Sequence, residues 1–504
     1  MTSLPSSEAP LPPAPLPAAP LPAWLAIALV GGTSAAVLVL EILAARLLAP
    51  YVGVSLETYT GIIATVLAGI SVGAWAGGWA ADRIDPRRLL PLLLVVGGGL
   101  ALFTIPTVRV LGDSAAVGPS GVILLASFGF LPSATVLSAI PPAVVKLQLR
   151  DLHDTGSVVG RLSAWGTAGA IVGTLVTGFV LVAVAAVTTL IVAVGLLLLA
   201  TGVAFWAATS PAARRATGRT MAAGLAVAAL AGGAVFATDD PCDTQTRYYC
   251  VSIDDDSGRT DGRVLVLDDL RHSYVDLDDP THLEFWYTQR FAEAIDGHST
   301  PGPIDVVHVG GGALTVPQWV RTTRPGSEQL VLEIDGDLVD IVVDEFDIAV
   351  GVATGVDVRV GDARLAVDDL ATDRADVVVG DAFGSRSVPW HLATVEFVRD
   401  VERVLTPGGL YVLNVIDNPD QDFLRAEAAT LADVFEHVTV ILGPGAADGR
   451  LGNSLIAASD RPFDPAVVDP DGGRVVDDLD AFVGGADILT DDFAPVDQLI
   501  SGGT

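Results

Sequence analysis

Seven apolar stretches occupy the first half of this chain, at roughly residues 23–45, 58–81, 89–111, 119–142, 163–184, 186–208 and 219–237. Each runs for about 19 to 24 residues, enough for a helix to cross about 30 Å of hydrocarbon. The pattern predicts an all-α, multi-pass membrane domain of six to seven helices over residues 23–238. The fifth and sixth stretches are close enough for a tight helical hairpin, and the seventh is the shortest. Residues 1–22 are rich in Pro, Ala and Ser and read as a disordered tail. They lack the basic n-region of a signal peptide. The lipid bilayer is therefore an expected partner and the cell membrane the expected location.

Basic residues gather in alternate loops: "DRIDPRR" at 82–88, Lys146 to Arg161, and "RRATGR" at 214–219. By the positive-inside rule these loops, and the N-terminus with them, face the cytoplasm. Seven spans then place the C-terminal half outside. Six spans, with 219–237 lying on the membrane or packed elsewhere, keep it inside, and both arrangements stay open. Gly69, Gly73 and Gly77 recur every four residues, a spacing that lets membrane helices approach closely. The segment "GGWAADRIDPRR" resembles the loop after the second helix of major facilitator transporters, with Asp82, Arg83, Arg87 and Arg88 in the matching places. Glu41 and Arg46 mark either a polar site or an interfacial ion pair near the end of the first stretch.

Charge divides the chain. Residues 1–238 carry 11 basic and 8 acidic side chains; the whole chain carries 28 and 60, leaving 17 and 52 for residues 239–504. A half with net charge -35 and no lysine repels phosphates, which argues against nucleic acid binding. A solvated surface adapted to high salt accounts for the acidity more simply than a cation site does. The two cysteines, Cys242 and Cys250, cannot alone make a four-ligand zinc site, and no metal is expected. They read equally as a local disulfide, which needs an oxidising compartment, or as two free thiols.

Residues 240–300 alternate as strands: "RYYCVSIDD", "GRVLVLDD" and "HSYVDLDD", with "DDDSGRTDG" as a hairpin turn. From 301 to 504 the pattern becomes strand, helix, strand, with "IDVVHV", "QLVLEID", "VDVRVGDA", "ADVVVGDA" and "LYVLNVID" as apolar strands. That alternation predicts an α/β Rossmann-like domain, a parallel sheet with helices on both faces, preceded by a small β-hairpin domain. "TPGG" at 406–409 turns the chain into the fifth strand.

A series of residues then falls at the carboxyl ends of successive strands, where open α/β sheets bind ligands. Gly310, Gly311 and Gly312 end the first and permit close backbone approach. Glu333 and Asp335 end the second, placed to accept from ribose hydroxyls. Asp362 and Ala363, in "GDAR", end the third, where the acid can accept from an adenine amino group. Asp381, in "GDAF", ends the fourth and faces the reacting part of the ligand. A lone glycine turn is a weak signal, and each acid alone can be a helix cap. Four in register point to an adenosyl ligand, and "GDA" after two strands favours an adenosyl-sulfonium over a dinucleotide. Phe383 and Trp390 either line this pocket or pack in the core.

At this point residues 240–500 resemble the polyamine aminopropyltransferases (spermidine synthases), specifically membrane-fused spermidine synthase-like proteins. "RVLVLDDLRHSYVDLDDPTH" is similar to the family's interdomain segment, "VVHVGGGALT" to its glycine motif, "LEID" to its ribose motif, and "GDAR" and "GDAF" to its adenine and catalytic motifs. "LATVEFVRDVERVLTPGG" and "ILTDDFAPVDQLI" are similar to segments of the fused proteins. The resemblance implies a class I methyltransferase-type fold with no permanently bound cofactor. It implies decarboxylated S-adenosylmethionine, or S-adenosylmethionine, as co-substrate, a small-molecule amine such as putrescine or agmatine as partner, and a homodimer. Asp381 then takes the amine's proton, Glu333 holds the ribose and Asp362 the adenine.

This sequence departs from the family pattern at four places. Ala313 stands where an aspartate usually follows the glycines, and Gly384 where a second aspartate follows Asp381. His272 stands in place of a glutamine. The gate motif Tyr-His-Glu is blurred, with His282 and Glu284 its nearest counterparts. Losing two carboxylates that bind cationic amines removes charge-assisted hydrogen bonds of about 1.5–3 kcal/mol each. Two further readings therefore stay open: another S-adenosylmethionine-dependent transferase, such as a methyltransferase, and a membrane transporter or sensor whose soluble half only binds a nucleoside or polyamine.

Overall fold

The structure, a computed structural model, describes residues 20–112, 114, 119–149, 151–209, 211–383 and 388–501. Most of the expected disordered tail, residues 1–19, lies outside the described residues. The chain divides into two compact units. One comprises Met1–Ala44, Ile62–Val110 and Leu125–Thr238; the other comprises Ala45–Gly61, Leu111–Leu124 and Asp239–Thr504.

All seven apolar stretches are helical. Six helices among the described residues are long and apolar enough to cross a membrane: Ala23–Val52, Leu56–Arg83, Pro86–Gly112, Thr155–Val184, Val187–Ala207 and Arg214–Val235. This is the pattern of a multi-pass membrane protein. The fourth stretch is broken, with Ser120–Gly129 and Leu131–Gln148 meeting at 47°. Pro132 sits just after this break, and Pro141 and Pro142 just after a second interruption at Ala139; each lacks the N–H that an unbroken helix needs.

The glycine stripe works by contact. A Cβ on Gly73 would lie 2.1 Å from the Thr135 carbonyl oxygen, and one on Gly77 would lie 2.5 Å from the Ala139 Cα. The second helix therefore packs backbone to backbone against the broken one. Lys146 Nζ meets Asp82 Oδ1 at 2.7 Å, which pairs an acid of the transporter-like loop with the only lysine of the chain.

In the second unit, β1 (Thr244–Gln245), β2 (Cys250–Asp255), β3 (Gly262–Leu267) and β4 (Leu270–Asp276) form an antiparallel sheet in chain order. β5 (Asp305–Val309), β6 (Glu328–Glu333), β7 (Val356–Val360), β8 (Ala375–Gly380) and β9 (Leu405–Asp417) are the five expected parallel strands. The sheet does not end there. β10 (His437–Leu442), β11 (Gly452–Ser459) and β12 (Arg474–Val475) extend it antiparallel. The order is β7-β6-β5-β8-β9-β11-β10-β12, so the expected parallel sheet is in fact mixed.

Helices cover both faces. Helix Val395–Val404 buries Val395, Val398, Val401 and Val404, an i, i+3 stripe, in one core with Tyr411 and Leu413. Helices Trp286–His298 and Thr315–Thr323 pack Phe291, Ile295 and Trp319 against the other face. The β5 strand lies between β6 and β8, so its connections leave in opposite directions and a crevice opens at its carboxyl end.

Candidate functional site

The glycine turn sits at that crevice. Gly310 has φ +101°, and a Cβ there would lie 2.2 Å from the Asp381 carbonyl oxygen. Gly312 has φ +49°, and a Cβ there would meet Ser273 Oγ at 2.6 Å and His272 Nδ1 at 3.2 Å. Both positions need glycine for conformation and for space. Leu314 follows at φ 57°, a left-handed value unusual for a large side chain, and helix Thr315–Thr323 begins after it.

A cavity of about 210 Å³ opens over the strand ends. Gly310, Gly312, Glu333, Asp362, Ala363 and Asp381 line it, and His272 joins them. A smaller cavity of about 30 Å³ lies beyond the glycine turn, lined by Gly311, Glu284, Tyr287 and again Asp381. Asp381, Gly310 and Gly312 thus face both spaces. Among the described residues, the side chains lining the two cavities include acids and histidines but no Lys or Arg.

The acids differ in how they are held. Glu333 accepts from the Asp335 N–H through Oε1 at 3.0 Å and from the Gly311 N–H through Oε2 at 2.8 Å. Burial raises its pKa. Asp362 caps helix Ala363–Asp368, accepting from Arg364 N at 2.8 Å through Oδ1; its Oδ2 lies 3.6 Å from His391 Nε2. Asp335 is the exception to the expected ligand set. It is buried, it is absent from the cavity wall, and it accepts from Leu338 N and the Thr246 hydroxyl. Its position after a strand suits it to cap helix Gly336–Glu345, and its second oxygen is taken by Thr246.

Asp381 is half-buried at the cavity wall, and desolvation there raises its pKa to about 6. Two donors work against the shift: Asn414 Nδ2 at 3.1 Å and the Tyr287 hydroxyl. Asn414 is oriented in turn by Asn453, whose Nδ2 donates to Asn414 Oδ1 at 2.9 Å. His272 is half-buried at the larger cavity, and desolvation lowers its pKa to about 4, so it is neutral near pH 7.

The remaining expected residues fall as follows. Glu284 faces the smaller cavity. His282 reaches neither; its Nε2 lies 3.1 Å from Glu284 Oε2, and its ring stands edge-on to Tyr274. Phe383 lines the larger cavity, while Trp390 is half exposed beside His391. Ala313 is fully buried in a core with Val251 and Leu265, and its N–H donates to Ser273 Oγ at 3.2 Å. Gly384 lies outside the described residues. Sequence reasoning missed Tyr287, Asn414, His391, Tyr248 and Tyr249. A polar Asn414 inside the apolar run "LYVLNVID" was the one available signal.

No family model matches the chain. A polyamine aminopropyltransferase of Vibrio vulnificus is 28% identical over 137 residues, which are 27% of this chain and 44% of that protein. The chain thus spans less than half the length of this curated relative. A probable spermidine synthase from Corynebacterium glutamicum is 30% identical, covering 50% of this chain and 97% of that one, with TM-score 0.46. A Thermotoga maritima spermidine synthase is 19% identical, covering 45% and 75%, with TM-score 0.35. Human methyltransferase-like protein 13, solved with SAH, is 18% identical, covering 36% and 84%, with TM-score 0.30. Through its α/β half, this chain belongs to the polyamine aminopropyltransferase (spermidine synthase) family, and it also carries a segment of membrane-length apolar helices.

Proposed function

We propose that the protein is a membrane-anchored aminopropyltransferase. It transfers the aminopropyl group of decarboxylated S-adenosylmethionine to a small amine and releases methylthioadenosine. The observation that carries this reading is the position of Asp381, half-buried at the junction of the two cavities.

In this account the larger cavity takes the adenosyl part. Glu333, its carboxylate fixed by two backbone N–H groups, accepts from the ribose hydroxyls. Asp362 accepts from the adenine amino group through the oxygen not used in capping. The cationic amine enters the smaller cavity between Glu284 and Asp381. An amine with a solution pKa near ~10 must lose a proton before it attacks. Asp381 attracts the ammonium and takes that proton. The amine nitrogen then bonds to the carbon beside the sulfonium, the C–S bond breaks, and its electron pair returns to sulfur.

The test is methylthioadenosine release from the purified chain with decarboxylated S-adenosylmethionine and a panel of diamines and agmatine. No release with any amine, alongside measurable methylthioadenosine binding, overturns the proposal.

A further inference from the structure

The segment before β2 is closed on itself. Cys242 and Cys250 are joined by a disulfide, and β1 pairs with β2 inside the bridge through Thr244–Val251 and Gln245–Cys250. This bridge, across a sequence separation of 8, answers the open question of the two thiols. It also shapes a loop whose side chains reach the edge that carries the acids.

Thr246, at the loop's turn, is buried. Its Oγ1 accepts from Tyr248 N at 3.1 Å and from Tyr249 N at 2.9 Å. Both lone pairs are then occupied, so its one hydrogen goes to Asp335 Oδ2, which lies 2.5 Å away. Asp335 in turn gives its backbone N–H to Glu333 Oε1. The loop hydroxyl is therefore two hydrogen bonds from the acid that faces the larger cavity. The next residues make the wall itself. Tyr248 and Tyr249 line the cavity, and the Tyr249 hydroxyl donates to the Phe383 carbonyl at 3.1 Å. Phe383 follows Asp381 by two residues. One short loop thus ties down two strand ends, that of β6 through Asp335 and that of β8 through Phe383.

We propose that the Cys242–Cys250 loop is a positioning element of the nucleoside site. Thr246 fixes the Asp335–Glu333 strand end, Tyr248 and Tyr249 form one wall, and the disulfide holds all three in place. This rests on the reading of the larger cavity as an adenosyl pocket. It predicts that the bridge contributes to ligand affinity and not only to stability. Reduction by dithiothreitol supplies two electrons and two protons, converts the bridge to two thiols, and leaves the reductant as its cyclic disulfide.

The test uses the full chain in detergent with methylthioadenosine as probe. Thr246→Val, which keeps the shape and removes the donor, is expected to raise Kd about tenfold, the scale of one hydrogen bond to a charged group. Thr246→Ser restores the hydroxyl and binds as the wild type does. Reduction, or Cys242→Ser with Cys250→Ser, raises Kd while circular dichroism shows the fold retained. Amide exchange over residues 335–339, followed without ligand, speeds up in Thr246→Val and in the reduced protein. Unchanged affinity and unchanged exchange in both overturn the proposal. If oxidised wild type binds no methylthioadenosine, the adenosyl reading fails, and the exchange at 335–339 still decides whether the loop holds that strand end.

Discussion

Asn414 donates to Asp381 Oδ1 at 3.1 Å, from the middle of a strand to the one carboxylate among the described residues that faces both cavities. The bond stabilises the charged form of an acid that burial pushes toward neutrality. Asn414→Leu removes it. The rising limb of kcat/KM against pH, expected near about 6 for Asp381, then moves to higher pH, because kcat/KM reports groups of the free enzyme. Asn453→Ala releases the Asn414 amide and shifts the limb the same way by less. A limb that stays in place in both variants contradicts the assignment.

Glu333→Gln tests the ribose site. Both Glu333 oxygens accept backbone N–H groups, so an amide must turn its NH₂ against one of them. The expected loss is about 10- to 100-fold in affinity for methylthioadenosine, the scale of one charged hydrogen bond. Calorimetry checks it, and wild-type affinity contradicts it.

Gly310→Ala tests the turn. Alanine at φ +101° is strained, and its Cβ would lie 2.2 Å from the Asp381 carbonyl oxygen. Strain of this kind costs about 1–3 kcal/mol before the clash is added. Thermal unfolding should begin at lower temperature and nucleoside binding should weaken. An unchanged Tm would contradict the close approach of β5 and β8.

Gly73→Val tests the helix contact. Its Cβ would lie 2.1 Å from the Thr135 carbonyl oxygen, an atom that cannot move aside as a side chain can. The variant is expected to lose thermal stability in detergent. Gly156→Val in another helix meets nothing within 4 Å and serves as control. Equal stability of the two variants contradicts the packing.

Much of this arrangement was legible in the residues. Seven apolar stretches announced seven helical segments, and Gly69, Gly73 and Gly77 announced a close helix contact, because each signal is local. The acids at strand ends announced the edge at which the larger cavity opens, because strand periodicity fixes where β5, β6, β7 and β8 stop. Asp335 misled because an acid after a strand serves equally as a helix cap, and only the fold shows which way it turns. Tyr287 and Asn414 were hidden because their value lies in a long-range approach to Asp381 that no spacing encodes. The antiparallel strands β10 to β12 were missed because "HVTVIL" and "GNSLIAAS" are short apolar runs that fit helix or strand alike. Thr246 gave no signal, since its partner lies 89 residues away.

The central claim is that Asp381 removes the amine's proton. Its most direct test is the pH dependence of methylthioadenosine release by the wild type and by Asp381→Asn, with nucleoside affinity measured for both. The account predicts a wild-type rate that rises through about pH 6. In Asp381→Asn it predicts a rate lower by about 10²- to 10⁴-fold without that limb, at near-wild-type nucleoside affinity. Equal rates and equal pH profiles in the two proteins would contradict it.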